Sequence, residues 1–174
     1  MNRRLNLFIR IDQQNSKRKK NRLSVKKIFI NLAKNSIMHY QKFFSALVHL
    51  LYSASKSDKK VHLIEVQEIL NIIHADIPSI FPEIPLGFQS LNSSLALSEF
   101  ETLYDSSLNE MDAYNTFIHF FRANKLEFRS DIRQLCFRLS ERVVNAQGGK
   151  NSDEIDFLQR LKTDLELDTF IPIQ

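Results

Sequence analysis

A short pattern occurs twice in this chain. It reads Ser57-Asp58-Lys59-Lys60-Val61-His62-Leu63-Ile64-Glu65 in the first third and Ala146-Gln147-Gly148-Gly149-Lys150-Asn151-Ser152-Asp153-Glu154 near the end. Placing Asp58 on Gln147 brings Glu65 onto Glu154, and Ile69 and Leu70 onto Leu158 and Gln159. Each copy follows one amphipathic apolar run and precedes another. That arrangement reads as helix, turn, helix, used twice, with a glutamate opening each second helix. A chain bound to two such connections has little choice but to build a helical bundle.

The spacing of apolar residues agrees. Phe43, Leu47, Leu50, Leu51 and Ala54 line one face of a helix expected over 38–57, and Val66, Ile69, Leu70 and Ile73 do so for 63–75. Residues 76–93 interrupt the pattern. Pro78, Pro82, Pro85 and Gly87 argue against a regular helix there, because proline lacks the amide donor and clashes with the preceding turn. The apolar residues of the same stretch, such as Ile80, Phe81 and Ile84, predict that it packs down. Helices resume at 95–107 (Leu97, Phe100, Leu103, Tyr104), then around Met111, Tyr114, Phe117, Ile118 and Phe121. Two more follow at 130–147 (Ile132, Leu135, Cys136, Leu139, Val143, Ala146) and 152–166 (Ile155, Leu158, Leu161, Leu165). A short amphipathic helix is also expected over 25–35. No stretch reads as a strand. The expectation is an all-α bundle of five to seven helices containing two pseudo-repeated helix-turn-helix hairpins.

Composition narrows the class further. At 174 residues one domain is the natural reading, and 3 Gly and 4 Pro are too few for many tight turns. The single cysteine, Cys136, excludes an internal disulfide and falls within an apolar stripe, where it reads as a small buried hydrophobe. No run approaches the roughly 18 apolar residues needed to cross a bilayer.

Charge is uneven along the chain. Residues 1–27 carry ten basic residues and one acid, Asp12, a net +9; the remainder carries 14 basic and 19 acidic residues, a net −5. The basic extension, 1–37, is expected to be mobile, with the helical domain over 38–174. Three readings of it stand side by side. Lys17, Arg18, Lys19, Lys20 and Arg22 suit contacts with nucleic acid or anionic lipid, because cations gain affinity by releasing counterions from phosphates. An Arg-rich, acid-poor segment also suits targeting. The simplest reading is a solvated extension. A secretory signal is not expected, since Leu5–Ile9 is broken by Asn6 and followed by Arg10. Met38 stands where the patterned domain opens, and a chain starting there is expected to fold with full helicity.

The two loops carry a family resemblance. The chain resembles the TerB family, named for tellurite-resistance operons. The family pattern is an apolar helix ending in Ala-Asp-Gly, then a residue, an aliphatic, three residues and a glutamate. Asp58, Val61 and Glu65 match it in the first copy, with Ser57 for alanine and Lys59 for glycine. Ala146, Gly148 and Glu154 match in the second, with Gln147 for the aspartate and Lys150 for the aliphatic. The resemblance covers about 38–168. It implies an all-helical fold and an acidic metal-binding surface, and no established enzymatic activity. A protein partner in a cytoplasmic stress-response or defence-associated complex is the matching expectation.

On that resemblance Asp58, Glu65 and Glu154 are the candidate ligands of a hard cation, Ca²⁺ or Mg²⁺. Lys59, Lys60 and Lys150 put positive charge into the same loops and oppose a cation. A second account needs no metal. With Asn151 as N-cap, Glu154 falls at the third helical position, where a capping-box glutamate returns to the cap residue's amide. For Glu154 capping is the stronger reading. His62 is a poor cap, so for Asp58 and Glu65 the two readings stand level. Gly148 and Gly149 read as a helix stop.

The five histidines show no zinc-binding spacing, and His49 and His119 are expected to be partly buried within helices. The Phe117–Phe121 cluster is expected in the core. An apolar face all round that helix, next to the Pro-rich stretch, would alternatively offer a groove for a partner helix. No nucleophile–base pair or cofactor loop is readable, so a non-enzymatic role is expected. The alternative is an adaptor that works through its basic tail.

Overall fold

The computed structural model describes residues 40–80 and 86–167, and the side chains of these except 79 and 86–92. The described residues contain no strand. They run as α1 (40–55), α2 (Leu63–Asn71), a π turn (Ile72–Asp76), α3 (Ile77–Ile80), α4 (Leu86–Ser106), α5 (Glu110–Ala123), α6 (Ser130–Val144), a 3-10 turn (Asn145–Gln147) and α7 (Ser152–Asp164). The all-helical expectation is met. The basic extension and the expected helix at 25–35 lie outside the described residues.

Helix α1 is the central one. The expected stripe of Phe43, Leu47, Leu50, Leu51 and Ala54 is buried, and so are Phe44, Val48 and Tyr52 on its other sides. A helix that is apolar nearly all round must be enclosed. Its C-terminal end also buries Ser53, Ser55 and Ser57. Each hydroxyl donates to the carbonyl three residues back, Leu50, Tyr52 and Ala54, at 2.7, 2.9 and 2.9 Å, so the buried oxygens are satisfied locally.

The Pro-rich stretch departs from expectation. Helix α2 runs without a stop through the π turn into α3, with the Ile77 amide donating to the Ile72 carbonyl five residues back. Ile69, Ile72, Ile73 and Ile77 are all buried along this path. Pro78 sits in the first turn of α3 (Ile77–Ile80), immediately after the widened turn. An amide is least needed there, and π turns and prolines are both sites of helix bending. Helix α4 likewise begins at Leu86, not near 95. Pro85 precedes its first residue in the sequence, and Gly87 within it costs only about 1 kcal/mol relative to alanine. Pro82 and Pro85 themselves lie outside the described residues. On α4, Ala96, Phe100 and Leu103 are buried, while Tyr104 is exposed.

Helix α5 is capped by Asn109, whose side chain accepts the Met111 amide at 2.8 Å. Its inner face is Ala113, Tyr114, Phe117, Ile118 and Phe121; Met111 and His119 are exposed. The helix is therefore two-faced and not apolar all round, and His119 belongs to the wet side. Phe128, in the α5–α6 connection, is an aromatic hub. Its ring lies 5.7, 6.2, 5.9 and 5.1 Å from those of Phe43, Phe117, Phe120 and Phe121. Edge-to-face contacts such as its 82° approach to Phe121 add to plain burial.

Helix α6 turns Ile132, Cys136, Leu139, Val143 and Val144 inward. The Cys136 thiol is fully buried, which pushes its pKa up to about 12 and leaves it inert. On α7 the inward residues are Glu154, Phe157, Leu158 and Leu161; Ile155, placed on the buried stripe by spacing alone, is exposed. Helix α2 packs on α6 and on the 3-10 turn, α7 lies against α6, and α4 meets the π turn and α3. Arg142 of α6 clasps Glu68 of α2 and Asp76 of the π turn at 2.7 and 2.8 Å, fixing this layer across its rim.

Candidate functional site

Two loop–helix junctions carry the chemistry. The first leaves α1 through turns at 56–58. Lys59 adopts a left-handed backbone, φ 69°, and its amide donates to the Lys56 carbonyl at 2.9 Å. Asp58 then caps the turn, its Oδ1 accepting the Lys60 amide at 3.0 Å and its Oδ2 lying 3.3 Å from His62 Nε2. Glu65 returns to the start of α2, its Oε2 accepting the His62 amide at 2.9 Å. The second junction leaves the 3-10 turn. Gly148 is left-handed, φ 88°, and its amide donates to the Asn145 carbonyl at 3.0 Å. Glu154 Oε2 accepts the Asn151 amide at 2.7 Å, and Asn151 Oδ1 accepts the Glu154 amide at 3.0 Å. The capping box expected at Asn151 and Glu154 is thus complete. At the first junction the glutamate half of the box is made as well, in spite of the histidine.

Glu65 and Glu154 are each only 1% exposed. Burial is the main reason the Glu65 carboxyl is pushed up to about 7. The His62 amide bond and the His62 charge pull it down, while Asp58 and Glu154 push it up. Glu65 and Glu154 therefore sense one another across the packed layer. The structure joins Asp58, His62 and Glu65 in one hydrogen-bonded loop and sets Glu154 within electrostatic reach.

A hard cation does not suit these residues as placed. Among the described residues no group of three or more His, Cys, Asp or Glu side chains is gathered to hold a metal. One oxygen each of Glu65 and Glu154 and both oxygens of Asp58 already serve protein partners. Ca²⁺ needs about six to eight oxygens. Lys150, the cation of the second loop, pairs with Glu141 at 2.8 Å. Lys17, Arg18, Lys19, Lys20 and Arg22 lie outside the described residues.

Sequence spacing did not reveal two further contacts. Lys56 Nζ donates to the Ser107 and Leu108 carbonyls at 3.0 and 2.7 Å and to Tyr52 Oη at 3.2 Å, tying the end of α1 to the α4–α5 turn. Arg160 lies 4.5 Å over the Tyr114 ring and pairs with Glu110 at 2.6 Å. A lysine in a polar run or an arginine one turn from a helix end gives no periodic signal of such a role.

A cleft of about 220 Å³ opens between α1 and α4, beside Phe44, Ser45, Ala96 and Glu99. His49 stands near it, as the half-buried histidine the sequence suggests. Its Nε2 is 3.8 Å from Glu99 Oε1, its Nδ1 is buried without a partner, and burial lowers its pKa against the opposing Glu99 charge. No helix among the described residues is long and apolar enough to cross a membrane.

Set against protein-family models, curated proteins and solved structures, the chain matches none.

Proposed function

We propose that the chain is a non-enzymatic, TerB-like helical module built from two related helix-turn-helix hairpins, which works by protein–protein contact in a cytoplasmic stress-response or defence-associated complex. One observation carries this reading. At positions separated by a constant 89 residues (154 − 65 and 148 − 59), the two junctions repeat a left-handed residue, a tight amide bond behind it, and a buried glutamate on the cap amide. Three features repeated in register support a reading of the two hairpins as related.

The buried glutamates are structural in this reading. They satisfy helix-end amides that would otherwise be stranded, and the exposed surface around them is left for contacts. The test is partner enrichment under stress, using proximity labelling on the full chain and on a chain starting at Met38. A reproducible protein partner that survives removal of 1–37 is expected; loss of all partners without the extension would sink the reading. Thermal melts with Ca²⁺, Mg²⁺ and Mn²⁺ complete it. No shift is expected, whereas a site filled at 100 times its dissociation constant would add about 2.7 kcal/mol.

The charge asymmetry favours one second reading, an adaptor for nucleic acid or anionic lipid through residues 1–27, net +9. Binding that falls steeply between low and physiological salt and vanishes without the extension would establish it.

A further inference from the structure

Most cations of the described body are matched to carboxylates: Arg122 to Asp164, Arg129 to Asp131, Arg142 to Glu68 and Asp76, and Lys150 to Glu141. Lys59 and Lys60 are not. Both are exposed and neither makes an ion pair among the described residues. Immediately beyond them, at the first two positions of α2, Leu63 and Ile64 are 82% and 51% exposed. Two unmatched cations and two bare aliphatic side chains thus fall within six residues.

The segment that presents them is held in one shape. Lys59 is fixed by its bond to Lys56, Lys60 by Asp58, and the start of α2 by Glu65 on the His62 amide. A surface already ordered loses less entropy when it is covered. Nothing in capping or core packing requires Leu63 or Ile64 to be apolar, since their neighbours Glu65 and Ile69 already turn inward. Leu63 and Ile64 therefore stand side by side in water next to the two lysines.

We propose that Lys59, Lys60, Leu63 and Ile64 form a docking surface for an acidic segment of a partner protein, one that carries leucine or isoleucine beside its carboxylates. The proposal rests on the interaction-module reading and names where the contact is made. Charge complementarity selects the partner. The two lysines steer carboxylates to the rim, and the aliphatic pair supplies the buried centre. A membrane fits less well. A bilayer surface is held by clusters of about four to eight Lys or Arg, and this patch offers two, Lys59 and Lys60.

The test uses the immobilised full chain and a displayed library of random 16-residue peptides. Selected peptides are then titrated against two paired variants, Lys59→Glu with Lys60→Glu, and Leu63→Ser with Ile64→Ser. All four side chains are exposed or peripheral, and unchanged melting curves check that both variants fold. The expected result is enrichment of peptides that combine Asp or Glu with Leu or Ile. Each paired variant should weaken their binding about tenfold or more. Replacing the peptide's acids with lysine should restore binding to the Lys→Glu pair. Peptides that bind both variants as well as the parent would overturn this surface and leave the module reading intact. Vesicles with about a third phosphatidylserine provide the counter-probe. Binding to them that is sensitive to the same substitutions, with no peptide enriched, would replace the protein partner with a membrane. No binding to either probe would overturn the surface, while the module reading stands or falls by partner enrichment on the full chain.

Discussion

The two junctions share a backbone and differ in side chains. At the α7 junction, Asn151 and Glu154 satisfy each other's amides, and Gly148 takes the left-handed turn at no steric cost. At the α2 junction the same turn is forced on Lys59, the cap is a histidine, and the glutamate is crowded by Asp58 and Glu154. The first is a settled helix start. The second holds a carboxyl near neutrality in ionisation and a lysine in a conformation L-residues avoid. The glutamate bond to the cap amide is the common requirement, and everything else at these positions is free to diverge.

The largest break in this comparison is expected from Glu154→Ala. It strands the Asn151 amide and empties a buried site, and it should cost about 3 kcal/mol in denaturant unfolding. Second comes pH. The Glu65 carboxyl ionises at about 7 in the folded chain and near 4.5 when unfolded. The unfolded state therefore gives up its proton first. The contribution of Glu65 is fully present below pH 4.5 and is lost as pH rises toward 7, on the order of 2–3 kcal/mol. Glu65→Gln should flatten this slope, so stability measured between pH 4.5 and 8 for both proteins reads it directly. A parent curve that tracks the variant would mean that Glu65 is ionised like any surface carboxylate.

Smaller effects sharpen the contrast. Asn151→Ala removes one half of the capping box and should cost about 1 kcal/mol. Changes that make the first junction resemble the second should help. Lys59→Gly relieves the positive φ and His62→Asn supplies a better cap, and each should add about 0.5–1 kcal/mol to the unfolding free energy. No gain from Lys59→Gly would show that the strain is already absorbed by the surrounding turn.

Much of this was legible in the amino-acid sequence, for identifiable reasons. Asn151, Glu154 and Gly148 act through bonds within a few residues, so their order along the chain is enough. The stripes of α1 and α6 were legible because their buried residues repeat over three turns or more. What failed was decided farther away. The π turn at Ile72–Asp76 sits where the path contacts α4, and Ile69, Ile72, Ile73 and Ile77 are all buried along it. Pro78 reads as a break because proline's effect depends on which turn it occupies. Ile155 and Met111, which spacing puts on inner faces, are exposed. Glu65 reads as equally suited to a metal because the His62 ring is a poor cap, whereas the bond is made by the His62 backbone, which any residue but proline supplies.

The connection between α5 and α6 is divided within itself. Leu126 is 98% exposed, and two residues later Phe128 is locked among four other rings. A chain that must be reopened for engineering, whether to seat a fluorescent domain or to move its termini, therefore offers a narrow doorway. New sequence spliced beside Leu126 hangs in water. The same splice at Phe128 pulls the pin that joins the central helix to α5, and the bundle comes apart from within.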